Sequence, residues 1–519
     1  MVRRMPAGPA RAVVSTAVVG ALALAGCSGG SGSGGSGSGG GEGNDRLVFG
    51  ITADPTQTIP WLSTSTQSIQ VLSQVYSTLL NSGDDLETVA GLSDLPEVSE
   101  DGKTYTFTLK DGVKFANGSA LDSTDVKYTF DTIMNPETKA TSASYFASVA
   151  SVEAPDPKTV VVKLKSPDAS FTTALANVNT SIVPSDVPVE SLTTTPVGSG
   201  PYVWDTRTPN QSITLKVNPD YYQGRPGYQS LQFRILGDEK AMVSALQSGA
   251  VDMAVFDNPV TAKTATSGKV KVTPVDQLSY HVLQLRADAP ALKDVNVRLA
   301  IQCAIDRKQV LDTAALGAGE VTGPITSPAY RSNPDARPCP TRDVAKAKEY
   351  LAKAGKSGGV SINLITSQGL YSTAVNEAQN IQAQLKEAGI DVKLETLDSD
   401  GYVQRWLKGD FDSAIALNGG STDPNTMYAR YFTSKGSFNK VAGYRSAELD
   451  KLFADGIATR DENARKGIYT QVSKELEDNA VWVWTYTGKL FVATSTGTSG
   501  FKARTGADLG TLWKAAPAK

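Results

Sequence analysis

The chain has 519 residues, 20% of them charged and 40% hydrophobic, with a formal net charge of −3; that length exceeds what a single core usually supports and points to two or three lobes. With 50 basic against 53 acidic side chains, and no basic run interleaved with aromatics, nothing supports a nucleic-acid partner. His281 is the only histidine, which rules out a multi-histidine metal site and leaves no Ser-His-Asp set except through that one ring.

Arg3, Arg4 and Arg11 precede an uncharged apolar stretch from Ala12 to Leu24, too short to span a bilayer and placed as a signal peptide is placed. It ends Leu24-Ala25-Gly26-Cys27. This is similar to the bacterial lipoprotein signal, in which the Cys thiol is acylated before cleavage; the alternative is a plain secretory signal with an incidental Cys. Residues 1–27 are expected to be a lipoprotein signal peptide with Cys27 lipidated. Residues 28–45, almost all Gly and Ser, form a tether with a reach of about 20 Å. Removing residues 1–27 leaves 47 basic against 53 acidic side chains, a charge of −6. Gly26-Cys27-Ser28-Gly29-Gly30 matches the Gly-x-Ser-x-Gly elbow on paper, but its place in the signal and tether makes the match accidental.

In chain order, Leu47 to Ile51 reads as a strand and Thr56 to Trp61 as a polar loop. Ile69, Leu72, Val75, Tyr76, Leu79 and Leu80 recur at helical spacing, with Asn81-Ser82-Gly83 as the stop. Tyr105, Phe107 and Leu109 alternate, Asp111-Gly112 turns, and Val113 and Phe115 answer, which predicts a hairpin. Ser123 is placed to cap a helix carrying Val126, Phe130, Ile133 and Met134, and a second hairpin pivots on Pro155-Asp156-Pro157. Val197-Gly198-Ser199-Gly200-Pro201-Tyr202, Asn218-Pro219-Asp220-Tyr221-Tyr222 and Ala245 to Asp252 mark two extended segments and a helix joined by tight turns. Tyr280 to Leu285 is a strand holding His281, read as a core or hinge imidazole. Ala345 to Gly355 and Ala378 to Gly389 are helices stopped by Gly. Val360 to Ile365 and Ile390 to Leu394 are strands, Leu449 to Ala458 and Ala464 to Glu477 helices, and Val481 to Tyr486 a returning strand. Alternating helices and strands make an α/β lobe.

These blocks, taken in order with Leu109-Lys110-Asp111-Gly112-Val113-Lys114-Phe115 and Ala304-Ile305-Asp306-Arg307-Lys308, resemble the extracellular solute-binding proteins of the peptide/nickel class that serve ABC importers. The resemblance covers nearly all of residues 46–500. It implies an α/β, two-lobed periplasmic-binding-protein-like fold of type II with an extra α+β subdomain in the first lobe. Lobe I is then 46–82, 192–284 and 485–519, the inserted subdomain 83–191, and lobe II 285–484. It further implies a substrate-binding component, not an enzyme, anchored by lipid on the extracytoplasmic face of the cell membrane. Its partners would be a small solute and the ABC permease transmembrane subunits, and it would act as a monomer without a cofactor or resident metal.

Cleft candidates are loops bearing polar groups and aromatic surfaces: Trp61, the segment Asn418, Gly419, Gly420 and Asp423, and Trp484 and Tyr486 on the returning strand. For each aromatic a core position is the competing reading. In peptide-binding members of the class the loop ending in Asp-Pro carries an acid about three residues earlier that pairs with the peptide α-ammonium. Here Gly420 stands near that position, and Ser361 to Asn376 offers no basic residue for a carboxylate. An oligopeptide is therefore the first reading and a non-peptide solute (sugar, polyol conjugate or metal chelate) the second; an anchored enzyme or structural surface protein is the rival class. Cys303 and Cys339 can oxidise outside the cytoplasm, the alternative being two buried thiols on separate elements.

Overall fold

A computed structural model describes residues 45–519 apart from Thr56 and the side chain of Ala507. The signal peptide, Cys27 and the tether up to residue 44 lie outside the described residues. Two large hydrophobic cores, with a smaller one holding Val48, Met242, Leu246 and Phe256 in the first lobe, are joined by one continuous sheet of eleven strands. In the first lobe Arg46–Ile51 runs parallel to Ser230–Ile235 and to Met253–Phe256. Ser212–Val217 and Tyr202–Thr208 extend the edge antiparallel. In the second, Val360–Gln368 is parallel to both Ile390–Asp398 and Ser413–Asn418, its strands connected through helices as parallel strands require.

Two long antiparallel strands, Val270–Leu285 and Trp482–Ser495, link the halves. Phe491 to Thr494 pair with Met253–Phe256 on the first side, and Tyr280 to Leu285 pair with Ser413–Asn418 on the second. The ladder between the long strands loses register between Asp276 and Tyr280 and again between His281 and Val282, a bulge of the kind that bends a strand and redirects its side chains. Core membership changes at the same place. Val275 and Val492 belong to the first core, whereas Tyr280, Val282, Leu283, Leu285, Trp482, Trp484 and Tyr486 belong to the second. Residues 280–284, expected in lobe I, and Tyr486 thus pack with lobe II. The apolar alternation of these segments marks burial and is silent on which core receives it.

The inserted subdomain is a four-stranded antiparallel sheet, Glu97–Val98, Thr104–Thr108, Thr159–Leu164 and Val149–Asp156, with helix Ser123–Met134 beside it. The hairpin on Pro155-Asp156-Pro157 is present. The one expected across Asp111-Gly112 is not: Thr104–Thr108 pairs instead with Thr159–Leu164, and Leu109 N donates to Lys158 O at 2.8 Å. Val113 and Phe115 are still buried. The helix cap moves by one residue, to Asp122, whose carboxylate accepts from Thr124 N while Asp125 reaches back to Asp122 N; this reciprocal box satisfies two orphan donors where a hydroxyl would satisfy one.

The helix expected to run to Leu80 covers Thr66–Val75 and stops at Tyr76, and Leu80–Ser82 becomes a strand paired with Thr88–Ala90. The cause lies far along the chain. Gly200 N donates to Val75 O at 2.9 Å, and a Cβ on either Gly198 or Gly200 would strike the backbone of Val75. The Gly-Ser-Gly turn thus closes the helix end by close approach. Asn218 holds the turn in place, its Nδ2 donating to Gly200 O at 2.8 Å.

In the second lobe the Gly-terminated helices are Val344–Lys353 and Ala374–Glu387, with Gly355 and Gly389 at φ +68° and +86°. Asp306 caps helix Arg307–Ala315 by accepting from Gln309 N at 2.9 Å. Arg307 is buried and donates to Trp484 O at 3.0 Å. Cys303 and Cys339 are joined in a disulfide with a Cα–Cα distance of 5.0 Å.

Candidate functional site

In α/β sheets a ligand finds loops and helix N-termini at the carboxyl ends of parallel strands. Both lobes turn such ends toward one recess. Asp257 and Pro259 follow Met253–Phe256, Tyr371 to Thr373 follow Val360–Gln368, and Leu417 lies at the end of Ser413–Asn418; His281, Gln277 and Tyr486 come from the linking strands. The recess encloses about 20 Å³. That is room for roughly one water molecule.

Behind the lining residues His281, Thr373 and Tyr486 lies a buried carboxylate. Glu377, in the first turn of helix Ala374–Glu387, is 1% exposed, where the helix N-terminus favours an anion. Its Oε1 lies 2.9 Å from His281 Nδ1 and accepts from Tyr486 Oη at 2.8 Å and from Thr373 Oγ1. Burial pushes this carboxyl up, but the His281 charge and hydrogen bonds from His281, Thr373 and Tyr486 outweigh it and hold Glu377 below the usual carboxylate range. The imidazole stacks on Tyr486, centroids 4.1 Å apart and 13° from parallel, and meets Tyr371 edge-on at 5.5 Å. Burial and then Glu377 raise the Tyr371 phenol well above its ordinary value. Asp257 keeps solvent contact yet sits between protein walls. Desolvation raises its pKa, opposed by His281.

The expected site residues separate into two groups. Tyr486 reaches the recess and Gly419 is exposed. The others are scaffold here. Trp61 is fully buried in the first core. Trp484 is fully buried beside Trp482 and Phe432, with ring centroids 6.0 Å from each. Asn418 is buried, donating to Tyr280 Oη and accepting from Gln284 Nε2, both at 3.3 Å. Gln284 Oε1 in turn accepts from Trp406 Nε1 at 2.7 Å, so the amide serves a closed polar chain. Gly420 lies so close to Leu278 that a Cβ would fall on its carbonyl. Asp423 is buried, caps helix Pro424–Phe432 through Asn425 N at 2.9 Å, and pairs with Arg465 Nη1 at 2.5 Å. Its charge is spent inside the lobe.

Asp257, His281 and Tyr371 line the recess and were outside the sequence candidates, as was Glu377, which lies behind His281, Thr373 and Tyr486. One signal was available for Asp257, which directly follows an apolar strand in a parallel arrangement. Glu377 gave none, since a Glu in a helix pattern reads as surface. Among the described residues no group of three or more His, Cys, Asp or Glu could hold a metal ion, and no helix is long and apolar enough to cross a membrane.

Known proteins share this arrangement. Residues 58–439 match the family model described as bacterial extracellular solute-binding proteins, family 5 Middle. The oligopeptide-binding protein AppA of Bacillus subtilis (strain 168) is 28% identical over 498 residues, covering 90% of this chain and 90% of that one. A solved structure of AppA from Bacillus subtilis in complex with a nonapeptide has 26% identity and a TM-score of 0.74, over 91% of this chain and 99% of that one. The PBP AgaA from A.tumefacien R10 in complex with agropinic acid has 27% identity and a TM-score of 0.76, over 91% and 99%. Two α/β cores strung on two linking strands, with a recess where their parallel strands end, are the type II periplasmic-binding-protein architecture, and by the match over 58–439 the chain belongs to the bacterial extracellular solute-binding proteins of family 5.

Proposed function

We propose that this protein is the substrate-binding component of an ABC import system, capturing an oligopeptide between its lobes and passing it to the permease transmembrane subunits. The observation that carries the reading is the recess lined from both lobes at the break between the linking strands. A recess of about 20 Å³ is far below the roughly 300–1,000 Å³ of ligand pockets, so a solute enters by separation of the walls and is held when they close. The rotation axis lies near Asp276 to Tyr280 and the facing Thr487 to Lys489, where register breaks; the lobe boundaries fall there. Peptide comes first because AppA, similar along 90% of both chains, is an oligopeptide-binding protein.

A second reading, a non-peptide solute such as a sugar, polyol conjugate or metal chelate, is favoured by the loop from Asn418 to Asp423. Its only acid is neutralised by Arg465, and AgaA holds agropinic acid. The test is small-angle scattering with a pooled oligopeptide library and a sugar panel. Peptide binding is expected to reduce the radius of gyration of a particle of monomer mass. Compaction with sugars alone would select the second reading, and compaction with neither would overturn solute capture. The anchor rests on Leu24-Ala25-Gly26-Cys27, which implies acylation of Cys27 and attachment to the extracytoplasmic face of the membrane. Cys27→Ser is expected to move the protein from the membrane fraction to the soluble one; retention on the membrane would refute the lipid.

A further inference from the structure

The turn Asn218-Pro219-Asp220-Tyr221-Tyr222 stands away from the recess between the lobes and borders a cavity of its own. Asn218 Oδ1 accepts from Asp220 N at 3.1 Å, an Asx turn that presents Tyr221 and Tyr222 to a space of about 330 Å³. That volume lies within the roughly 300–1,000 Å³ of ligand pockets. The walls are the end of helix Thr66–Val75, the strand pair Leu80–Ser82 and Thr88–Ala90, Lys110 and Ser181 of the inserted subdomain, and the C-terminal segment from Arg504 to Lys514. Leu509 and Leu512 of that segment belong to the first core. Arg504, itself buried, ties the walls together: Nη1 donates to Ser82 O at 2.8 Å and Gly83 O at 3.0 Å, and Nη2 pairs with Asp508 Oδ1 at 3.0 Å. Gly227 N donates to Trp513 O at 3.0 Å and holds the segment against the tyrosine turn.

The lining combines aromatic rings, neutral polar groups and positive charge. Tyr221 stands edge-on to Tyr222 and to Trp513, with centroids 5.0 and 5.3 Å apart, and all three rings are half-buried. Asn81, Ser82 and Gln223, none of them buried, add a hydroxyl and two amides, which donate and accept. Lys110 Nζ lies 5.5 Å from the centre of the Tyr222 ring and Lys514 Nζ 5.3 Å from that of Trp513. Among the described residues neither ammonium has an ion-pair partner, whereas Asp84 is paired with Lys502 at 2.6 Å and Asp508 with Arg504. The lining and its ion pairs thus hold four cations against two carboxylates. Half-buried rings beside amides and hydroxyls suit a sugar, whose C–H faces lie on aromatic surface while its hydroxyls exchange hydrogen bonds at the rim. Two unpaired ammoniums suit an acidic substituent on that sugar. We propose that this cavity binds a saccharide carrying an acidic group, with Tyr221, Tyr222 and Trp513 against the sugar and Lys110 and Lys514 on the acid. No residue of the second core lines it, so its ligand makes the same contacts whether the lobes are open or closed and shifts no equilibrium between them. The site is therefore separate from the one that captures the transported solute, and the proposal does not rest on that capture.

The test is calorimetry of the full chain with digalacturonic acid, its dimethyl ester as the uncharged counterpart, and inorganic phosphate as the anion alone. Wild type is expected to bind the acid at least roughly tenfold tighter than the ester, as two charge-assisted contacts allow. Lys110→Gln combined with Lys514→Gln is expected to abolish that preference, each single substitution to reduce it, and Trp513→Leu to weaken acid and ester alike. An unchanged melting temperature without ligand shows that a variant is folded, and the single lysine variants decide if the double one is not. Scattering is expected to show an unchanged radius of gyration when the acid is added. Absence of binding, equal binding of acid and ester, phosphate bound as tightly as the acid, a preference that survives the lysine substitutions, or wild-type binding by Trp513→Leu would each overturn the proposal. Compaction on adding the acid would also overturn it, by placing the sugar between the lobes, and would leave solute capture standing.

Discussion

Glu377 carries more contacts than any other acid near the recess, and its protonation should be felt by the whole fold. Its folded-state pKa lies below the ordinary value, which for an unfolded Glu is about 4.3. A depressed carboxylate pKa contributes stability above the unfolded value and loses it as pH falls through the folded one. Glu377→Gln keeps the shape but removes the charge that His281 faces and one of two acceptor oxygens. Urea titrations between neutral and strongly acidic pH are expected to show the variant less stable at pH 7 by about 1–3 kcal/mol, with a shallower decline below about pH 4. Parallel acid limbs for the two proteins would mean that the carboxylate is not the group responsible. Asp257, though exposed by surface area, answers to the same rule in the opposite sense, since desolvation by the surrounding protein raises its pKa. The residue scale is also where sequence reasoning failed most. Asp423 and Trp484 have the chemistry of ligand contacts, and only the position of Arg465 and Phe432 shows them to be spent internally.

Among the elements, helix Val295–Ala304 and the segment before helix Val344–Lys353 are tied by Cys303–Cys339 across a sequence separation of 36. Closing a loop of that length removes unfolded-chain entropy equivalent to about 4 kcal/mol. Both cysteines lie in the second core. Calorimetry is expected to resolve the melting of that core from the first, and Cys303→Ser with Cys339→Ser to lower its transition while leaving the other near its original temperature. A single transition shifted as a unit would show the cores to be energetically inseparable. Helices of this lobe were legible because glycine stops end them locally, at Gly355 and Gly389. The first helix was over-extended and the hairpin at Asp111-Gly112 mispaired because their partners, Gly200 and Thr159–Leu164, stand many residues away. Periodicity reports which side chains are buried and leaves open what covers them.

At the scale of the molecule, the proposed closure would keep both cores folded, with rotation expected where the linking strands lose register and packing on each side preserved. Expected compaction on solute binding belongs to this scale, because a recess of about 20 Å³ leaves the lobes as the parts that must move.

The α/β class, the two-lobed plan, the family and several helices of the second lobe follow from the sequence alone, because hydrophobic period, glycine stops and the order of turn motifs are local properties of the chain. The tertiary structure alone decided the extent of the first helix, the pairing of the inserted sheet, the core to which Tyr280, Val282, Leu283 and Leu285 belong, and the gathering of Asp257, His281 and Tyr371 around one recess with Glu377 behind it. Those outcomes depend on groups brought together from separate segments of the chain, and no local pattern records a contact that exists only after the chain has folded.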